Sequence, residues 1–283
     1  MQFIPMSELL RDAAINGYAV PSFCAWNAEV MEIVLRVAQD LRSPVIVMNG
    51  PGEFPLLGPA LMGAVAHAVA RRFTVPAALH LDHGDSLEVV QTCLDAGYTS
   101  VMLDYSNRPF AENAQALRQV VALAHPLGVT VEGELGHVGK ADTMTVEGAG
   151  DSTLTEPGEA ASYVEQTGVD ALAVSIGNAH GQYTKLPKFD FERLERISAA
   201  VRLPLVLHGG SGTPPAAIQR AIALGMAKVN VATELTAALR EGLSAELGAA
   251  RKRWLPQALA EATKLLAPVV EKWIHLTGAA GRA

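Results

Sequence analysis

The feature that most limits how this chain can fold is a rhythm. Short apolar or β-branched runs begin near Tyr18, Pro44, Pro76, Thr99, Val129, Asp170, Leu203 and Ala227: "YAVPSF", "PVIVM", "PAALHL", "TSVMLD", "VTVEGEL", "DALAVSI", "LPLVLHG" and "AKVNVA". Between them lie segments whose apolar residues recur at helical spacing, such as "NAEVMEIVLRVAQDL", "SLEVVQTCLDAG" and "PAAIQRAIALG". Several of these end on a glycine just ahead of the next run ("LDAGYTSVML", "EQTGVDALAV", "IALGMAKVNV"), as a helix C-terminus followed by a short loop does. The runs are continuous rather than alternating, which suits parallel strands covered by helices. Eight strand–helix units in 283 residues predict a single α/β domain over residues 1–283. Its expected form is a (β/α)8 TIM barrel, with additional C-terminal helices in the tail from Arg251 onward. A doubly wound open sheet is the alternative; no G-x-G-x-x-G turn follows the first strand, so its dinucleotide-binding version has no support.

Composition narrows the function. Apolar residues make up 49% of the chain and the formal charge is −7, so a large core is affordable and no basic patch points to nucleic acid. Cys24 and Cys93 are the only cysteines and read as reduced thiols rather than a disulfide framework. The first residues carry an early acid and no long apolar run, and no window has the length and apolarity of a membrane span. The expectation is a soluble, cytoplasmic protein with no membrane partner.

In such a barrel the active site lies at the C-terminal ends of the strands. The third strand ends in Asp82 and His83, the fourth in Asp104; the fifth carries Glu132 and Glu134. The sixth leads to Asn178 and His180, the seventh to His208, and the eighth holds Asn230. His83, His180 and His208 have no linear motif spacing, but strands three, six and seven of a barrel share one mouth. Three imidazoles with an open fourth position are the donor set of a catalytic zinc site. Asp104 and Glu134 are placed to ligate the same ion or to orient the histidines. A lone strand-end histidine is more often a cap or packing residue, and His80, in mid-strand, is expected to be a satisfied core histidine. His67, His125 and His275 fall in helical segments and His137 in a loop. "GGSG" after strand seven and "NVATE" after strand eight occupy the positions where these barrels hold phosphate on backbone N–H groups.

Taken together, "SPVIV", "LHLDHG", "PFAENA", "VEGELG", "TGVDALAVSIGNAHGQY", "LPLVLHGGSG" and "KVNVATEL" resemble the class II, metal-dependent ketose-bisphosphate aldolases, in the fructose- and tagatose-1,6-bisphosphate branch. The resemblance covers nearly the whole chain. It implies reversible retro-aldol cleavage of a ketose 1,6-bisphosphate to dihydroxyacetone phosphate and an aldehyde, glyceraldehyde 3-phosphate by default. It further implies one zinc ion on His83, His180 and His208, with Asp104 and Glu134 as acidic residues at the metal. Asp82 would move the C4 hydroxyl proton, and Asp142, on the loop after strand five, a second proton at C3. Gly181, Gly209, Gly210, Ser211, Asn230, Val231, Ala232 and Thr233 would hold dihydroxyacetone phosphate, with a monovalent cation possible there. A homodimer or homotetramer is implied. The chemistry is coherent, because cleaving C3–C4 leaves negative charge that a Lewis acid at the C2 and C3 oxygens stabilises, and no Schiff-base lysine is needed. Lys228, the one lysine near a barrel strand, is expected at the strand's start and so on the wrong rim.

Four positions depart from the family: Cys24 where asparagine is common, Gly50 where serine or threonine is common, Tyr105 where a small residue sits and Asn107 where histidine sits. Lost hydrogen bonds to a ketose change discrimination strongly. The same chemistry on a different ketose phosphate, or a non-catalytic metal-binding paralogue, is therefore the alternative. Arg282 matches a basic residue near the family's C-terminus, a candidate for a second phosphate. A barrel metallohydrolase is disfavoured, since no His-x-His pair stands on the first strand.

Overall fold

Eight parallel strands close on themselves in sequence order, so every strand edge is paired and the first strand meets the last. They are β1 (Val20–Cys24), β2 (Val45–Asn49), β3 (Ala77–Gly84), β4 (Ser100–Leu103), β5 (Thr130–Leu135), β6 (Ala171–Val174), β7 (Leu205–Leu207) and β8 (Met226–Val231). The structure, a computed structural model, describes residues 3–141, 153–181, 183, 185–248 and 253–283. Helix α1 (Met6–Asn16) precedes the barrel, and α2 (Ala28–Asp40), α3 (Gly58–Ala70), α4 (Leu87–Asp95), α5 (Phe110–Ala124), α6 (Pro157–Thr167), α7 (Phe191–Ala200) and α8 (Pro215–Ala223) connect its strands. After β8 come α9 (Thr233–Gly248), α10 (Leu255–Ala262) and α11 (Leu266–Leu276). The expected (β/α)8 barrel with further C-terminal helices is the observed architecture. No helix among the described residues is long and apolar enough to cross a membrane.

Local signals account for the helix ends. Asn27 caps α2 by accepting from Val30 N at 3.0 Å, and Ser86 caps α4 by accepting from Val89 N. At the end of α6, Gly168 sits at φ 73°, where its N–H closes on the Val164 carbonyl.

Burial divides the apolar residues into two layers. The larger lies between strands and surrounding helices and includes Phe23, Leu79, Leu117, Ile218 and Trp273. The smaller fills the lower barrel: Val20, Ile46, Ala78, Ala171, Val206 and Ala227 meet Met6, Leu10 and Ala13 of α1. Helix α1 thus plugs the N-terminal end of the strands, and the polar interior opens only at the other end. Arg282 belongs to the plugged end. Its guanidinium lies over the Tyr18 ring at 5.2 Å, while its neighbours Gly281 and Ala283 donate to the Leu41 and Arg42 carbonyls. A role for Arg282 at a second phosphate within this chain is therefore corrected: the strands' full length separates it from the site.

Leu10 is fully buried in the plug. Leu10→Ala is expected to cost about 2–5 kcal/mol through lost transfer energy and a residual cavity, measured as a shift in the denaturant midpoint at unchanged slope.

Candidate active site

Asp82 and His83 are neighbours on β3, and in a regular strand they would face opposite sides. They do not. The register of β3 against β4 shifts between Leu81 and Gly84, and His83 has φ 48°. This bulge rotates the imidazole towards the barrel axis beside the aspartate. A left-handed backbone at a non-glycine residue costs on the order of 1–3 kcal/mol and is characteristic of functional positions.

The bulge brings three imidazoles together. His83 Nε2 and His180 Nε2 are 3.2 Å apart, and one ring nitrogen from each of His83, His180 and His208 falls within 4.8 Å of the others. The remaining ring nitrogens are tied down. His83 Nδ1 lies 2.7 Å from Asp104 Oδ2, His180 Nδ1 donates to the Val138 carbonyl at 3.1 Å, and His208 Nε2 donates to Glu132 Oε1 at 2.9 Å. These contacts leave Nε2 of His83, Nε2 of His180 and Nδ1 of His208 facing one point, as partners behind metal-binding histidines do. Asp104 spends its other oxygen on the Ser106 N–H at 3.0 Å, so it holds His83 in place.

Two buried atoms at that point are left without a well-formed hydrogen bond: His208 Nδ1 and Glu134 Oε2, 2.9 Å apart. Unpaired buried polar atoms are costly. A divalent cation held by the three imidazoles and Glu134 would satisfy both, and neutral nitrogens with one carboxylate suit a zinc-type ion. The residues present fit such a metal.

Below this point the barrel is polar and closed to water. Burial works against the Glu132 carboxylate, but Lys228 and the hydrogen bond from His208 outweigh it and keep Glu132 ionised. Lys228 Nζ donates to Glu132 Oε2 at 2.8 Å, inside the barrel. The expected placing of Lys228 on the far rim is thus corrected: it stands third in β8 and its ammonium is one carboxylate away from His208. His80 is only half satisfied. Its Nδ1 meets Ser100 Oγ at 2.8 Å, whereas its buried Nε2 has no partner and lies 3.8 Å from Asp82 and 3.7 Å from Glu132. Burial and Lys228 push His80 down to about 3, so it is neutral.

Asp82 accepts from Asn230 Nδ2 at 3.0 Å, and its side chain keeps 17% exposure. Burial would raise its pKa, but His83, His208 and Lys228 outweigh burial and bring it down to about 2. It is a reachable, ionised carboxylate beside the imidazole cluster. Asn230, expected at the substrate, spends its amide N–H on Asp82, while its Oδ1 has no partner.

The two glycine-rich turns meet nearby. Gly209 has φ 68°, and a Cβ there would lie 2.0 Å from the Ala179 carbonyl, so only glycine fits. Gly210 N donates to the Asn230 carbonyl, and Tyr183 ties the turns by accepting from Ala179 N and donating to the Gly209 carbonyl. Ser211 Oγ accepts from Glu234 N at the start of α9, so Val231, Ala232 and Thr233 adjoin the same turn. Gly181 follows His180 at φ 100°. A helix start beside a glycine turn suits an anion. Asp142 lies outside the described residues.

Sequence reasoning missed Glu132 as an anchor of His208. It also missed His137, whose Nδ1 is 2.9 Å from Ser106 Oγ beside a cavity of about 240 Å³ next to His83, Asp104 and His180. Of the four departures, Tyr105 packs against the core with the Arg108 guanidinium 5.9 Å over its ring, and Asn107 is exposed. Cys24 is buried at the end of β1. A Cβ on Gly50 would lie 2.1 Å from the Asp82 carbonyl.

Two predictions follow from this geometry. Burial opposes protonation of His208, but Glu132 and Glu134 raise its pKa to about 10, so the metal-free protein carries that proton at neutral pH. Binding a divalent metal there must release about one proton, and apparent affinity should fall as pH is lowered from 9; calorimetry in buffers of different ionisation enthalpy measures both. Gly50→Ser must push the Asp82 backbone aside, so kcat should drop by about 100-fold with metal content unchanged, read by steady-state kinetics and metal analysis.

Comparison with known proteins identifies the fold and the family. The YdjI aldolase of Escherichia coli K12 is 34% identical with a TM-score of 0.88, all of both chains being covered. A Coccidioides immitis protein is 30% identical with a TM-score of 0.85, over 97% of this chain and 96% of the other. Fructose-bisphosphate aldolase of Campylobacter jejuni, 22% identical, shares the fold at a TM-score of 0.82 over 100% of this chain and 97% of that one. The family model for class-II fructose-bisphosphate aldolase matches residues 4–282. The chain belongs to the class-II fructose-bisphosphate aldolase family and is a carbon–carbon lyase.

Proposed function

We propose that this aldolase is metal-dependent and cleaves a ketose phosphate between C3 and C4, giving dihydroxyacetone phosphate and an aldehyde. The observation that carries the reading is the convergence of His83, His180 and His208 nitrogens within 4.8 Å beside an ionised, reachable Asp82. Zinc bound there would supply Lewis-acid stabilisation of the charge left at C3.

The chain's own residues do the rest. Asp82 accepts the C4 hydroxyl proton in cleavage and returns it in condensation; Asn230 holds the carboxylate in line. Glu132 keeps His208 in one orientation, and Asp104 does the same for His83. The turns at Gly209–Ser211 and Val231–Thr233, with Gly181, bind the C1 phosphate, with a monovalent cation as its counter-charge. Asp142 moves the second proton, at C3. Fructose and tagatose 1,6-bisphosphates share the C1–C3 portion that becomes dihydroxyacetone phosphate and differ in the configuration of the C4 hydroxyl that Asp82 addresses. The same reading has a cytoplasmic homodimer or homotetramer, as membership of the family suggests.

Release of dihydroxyacetone phosphate, measured with and without a chelator, tests the proposal. His208→Ala should lose both metal and release. Asp82→Ala should keep the metal and lose turnover by about 10²–10⁴-fold. Near-normal rates in Asp82→Ala, or chelator-insensitive release, would overturn it.

A further inference from the structure

Residues 137–141, where the chain leaves β5, reach two of the three clustered imidazoles. His180 is held there through its backbone on both sides: its N–H donates to the Gly139 carbonyl at 2.8 Å, and its carbonyl accepts from Ala141 N at 2.7 Å. Its Nδ1 meets the Val138 carbonyl of the same stretch. His137 is fixed by a two-way backbone pairing with Thr153, its N–H donating at 2.9 Å and its carbonyl accepting at 3.0 Å. From that anchored backbone the His137 ring points at Ser106, with Nδ1 2.9 Å from Oγ.

Ser106 passes the contact on. Its N–H donates to Asp104 Oδ1 at 3.0 Å, and its hydroxyl also bonds the Asp104 carboxyl. A hydroxyl has one proton. With that proton given to Asp104, Oγ accepts from His137 Nδ1–H. Asp104 Oδ2 receives the His83 Nδ1 proton at 2.7 Å from the other side. Four side chains thus form one line, in which His137, through Ser106, and His83 both donate towards Asp104.

The line bears on His83 because Asp104 is not fixed by packing. It follows the last residue of β4 and its side chain keeps 20% exposure, so several rotamers are open to it. The bonds from Ser106 select one of them, and His137 aims the Ser106 hydroxyl. The imidazole that Asp104 then holds is the one on strained backbone, at φ 48°. On the metal-dependent reading above, His83 is one of three donors whose direction fixes the site. We propose that His137 is a positioning residue for the metal: through Ser106 and Asp104 it holds His83, so that a side chain outside the donor set determines part of the affinity for the ion. Hydrogen bonds behind a metal ligand are commonly worth about 10–100-fold in affinity, and a contact one step further out belongs at the lower end of that range.

Zinc affinity of the full-length protein, measured by competition with a chromophoric chelator, tests this without any assay of turnover. The proteins compared are the wild type, His137→Ala, Ser106→Ala, the double variant and His137→Asn, which keeps an amide donor near the Nδ1 position; thermal melts of the metal-free proteins are run alongside. Each alanine variant should bind zinc about tenfold more weakly. The double variant should lose about the same tenfold rather than about a hundredfold, because the two side chains act in one line. His137→Asn should recover most of the loss. Ser106→Ala leaves the pairing of His137 with Thr153 untouched, so its weakening is expected even if His137→Ala fails to fold, and an unchanged affinity there overturns the inference by itself. Losses that multiply in the double variant, or an asparagine no better than alanine, would overturn it as well while leaving the metal site in place. A wild-type protein that binds no zinc would overturn the metal-dependent reading and this inference with it.

Discussion

The site rests on one carboxylate that water does not reach. Glu132 is fully buried, takes the Lys228 ammonium on one oxygen and the His208 Nε2 proton on the other. Burying either charge alone is prohibitive, and a pair survives only when its remaining valences are used. Here the surplus is used by a histidine. That choice determines which nitrogen of His208 faces the mouth, and through it the geometry available to a metal. The neutral His80 beside the pair adds no second positive charge, so the field reaching Asp82 comes from His83, His208 and Lys228.

Above this layer, backbone irregularity does what side-chain choice alone does not. The bulge in β3 breaks the alternation of a strand at the one place where two adjacent polar residues are both needed inside. The strained His83 is held by Asp104, whose own N–H donates to the Gly84 carbonyl, so the bulge is clamped from the neighbouring strand. Such a clamp trades local backbone energy for pre-organised chemistry.

Much of this was legible in the sequence, for identifiable reasons. Strands buried on both sides read as continuous apolar runs, and a polar residue where a run stops is conspicuous; that is why His83, His180, His208 and Asp82 stood out. Glu132 was visible as a polar residue in β5, but its pairing with Lys228, 96 residues away, depends on register around the closed barrel. The position of Lys228 along β8 was misjudged because strand ends are blurred by one or two residues. Arg282 was placed by analogy, whereas the turn after α11 carries it to the plugged end. His137 sits in a loop with no periodicity, and only its contact with Ser106 gives it a place.

The contact between Gly50 and the Asp82 carbonyl bears on how such a pocket changes over generations. A serine or threonine at position 50 would need the loop to run farther from β3. A chain with the present loop cannot regain the hydroxyl by one substitution, because the new Cβ has nowhere to go until the 50–53 turn opens. Position 50 and the strand end that carries Asp82 are thus coupled through the backbone, so this part of the pocket changes as a unit rather than residue by residue.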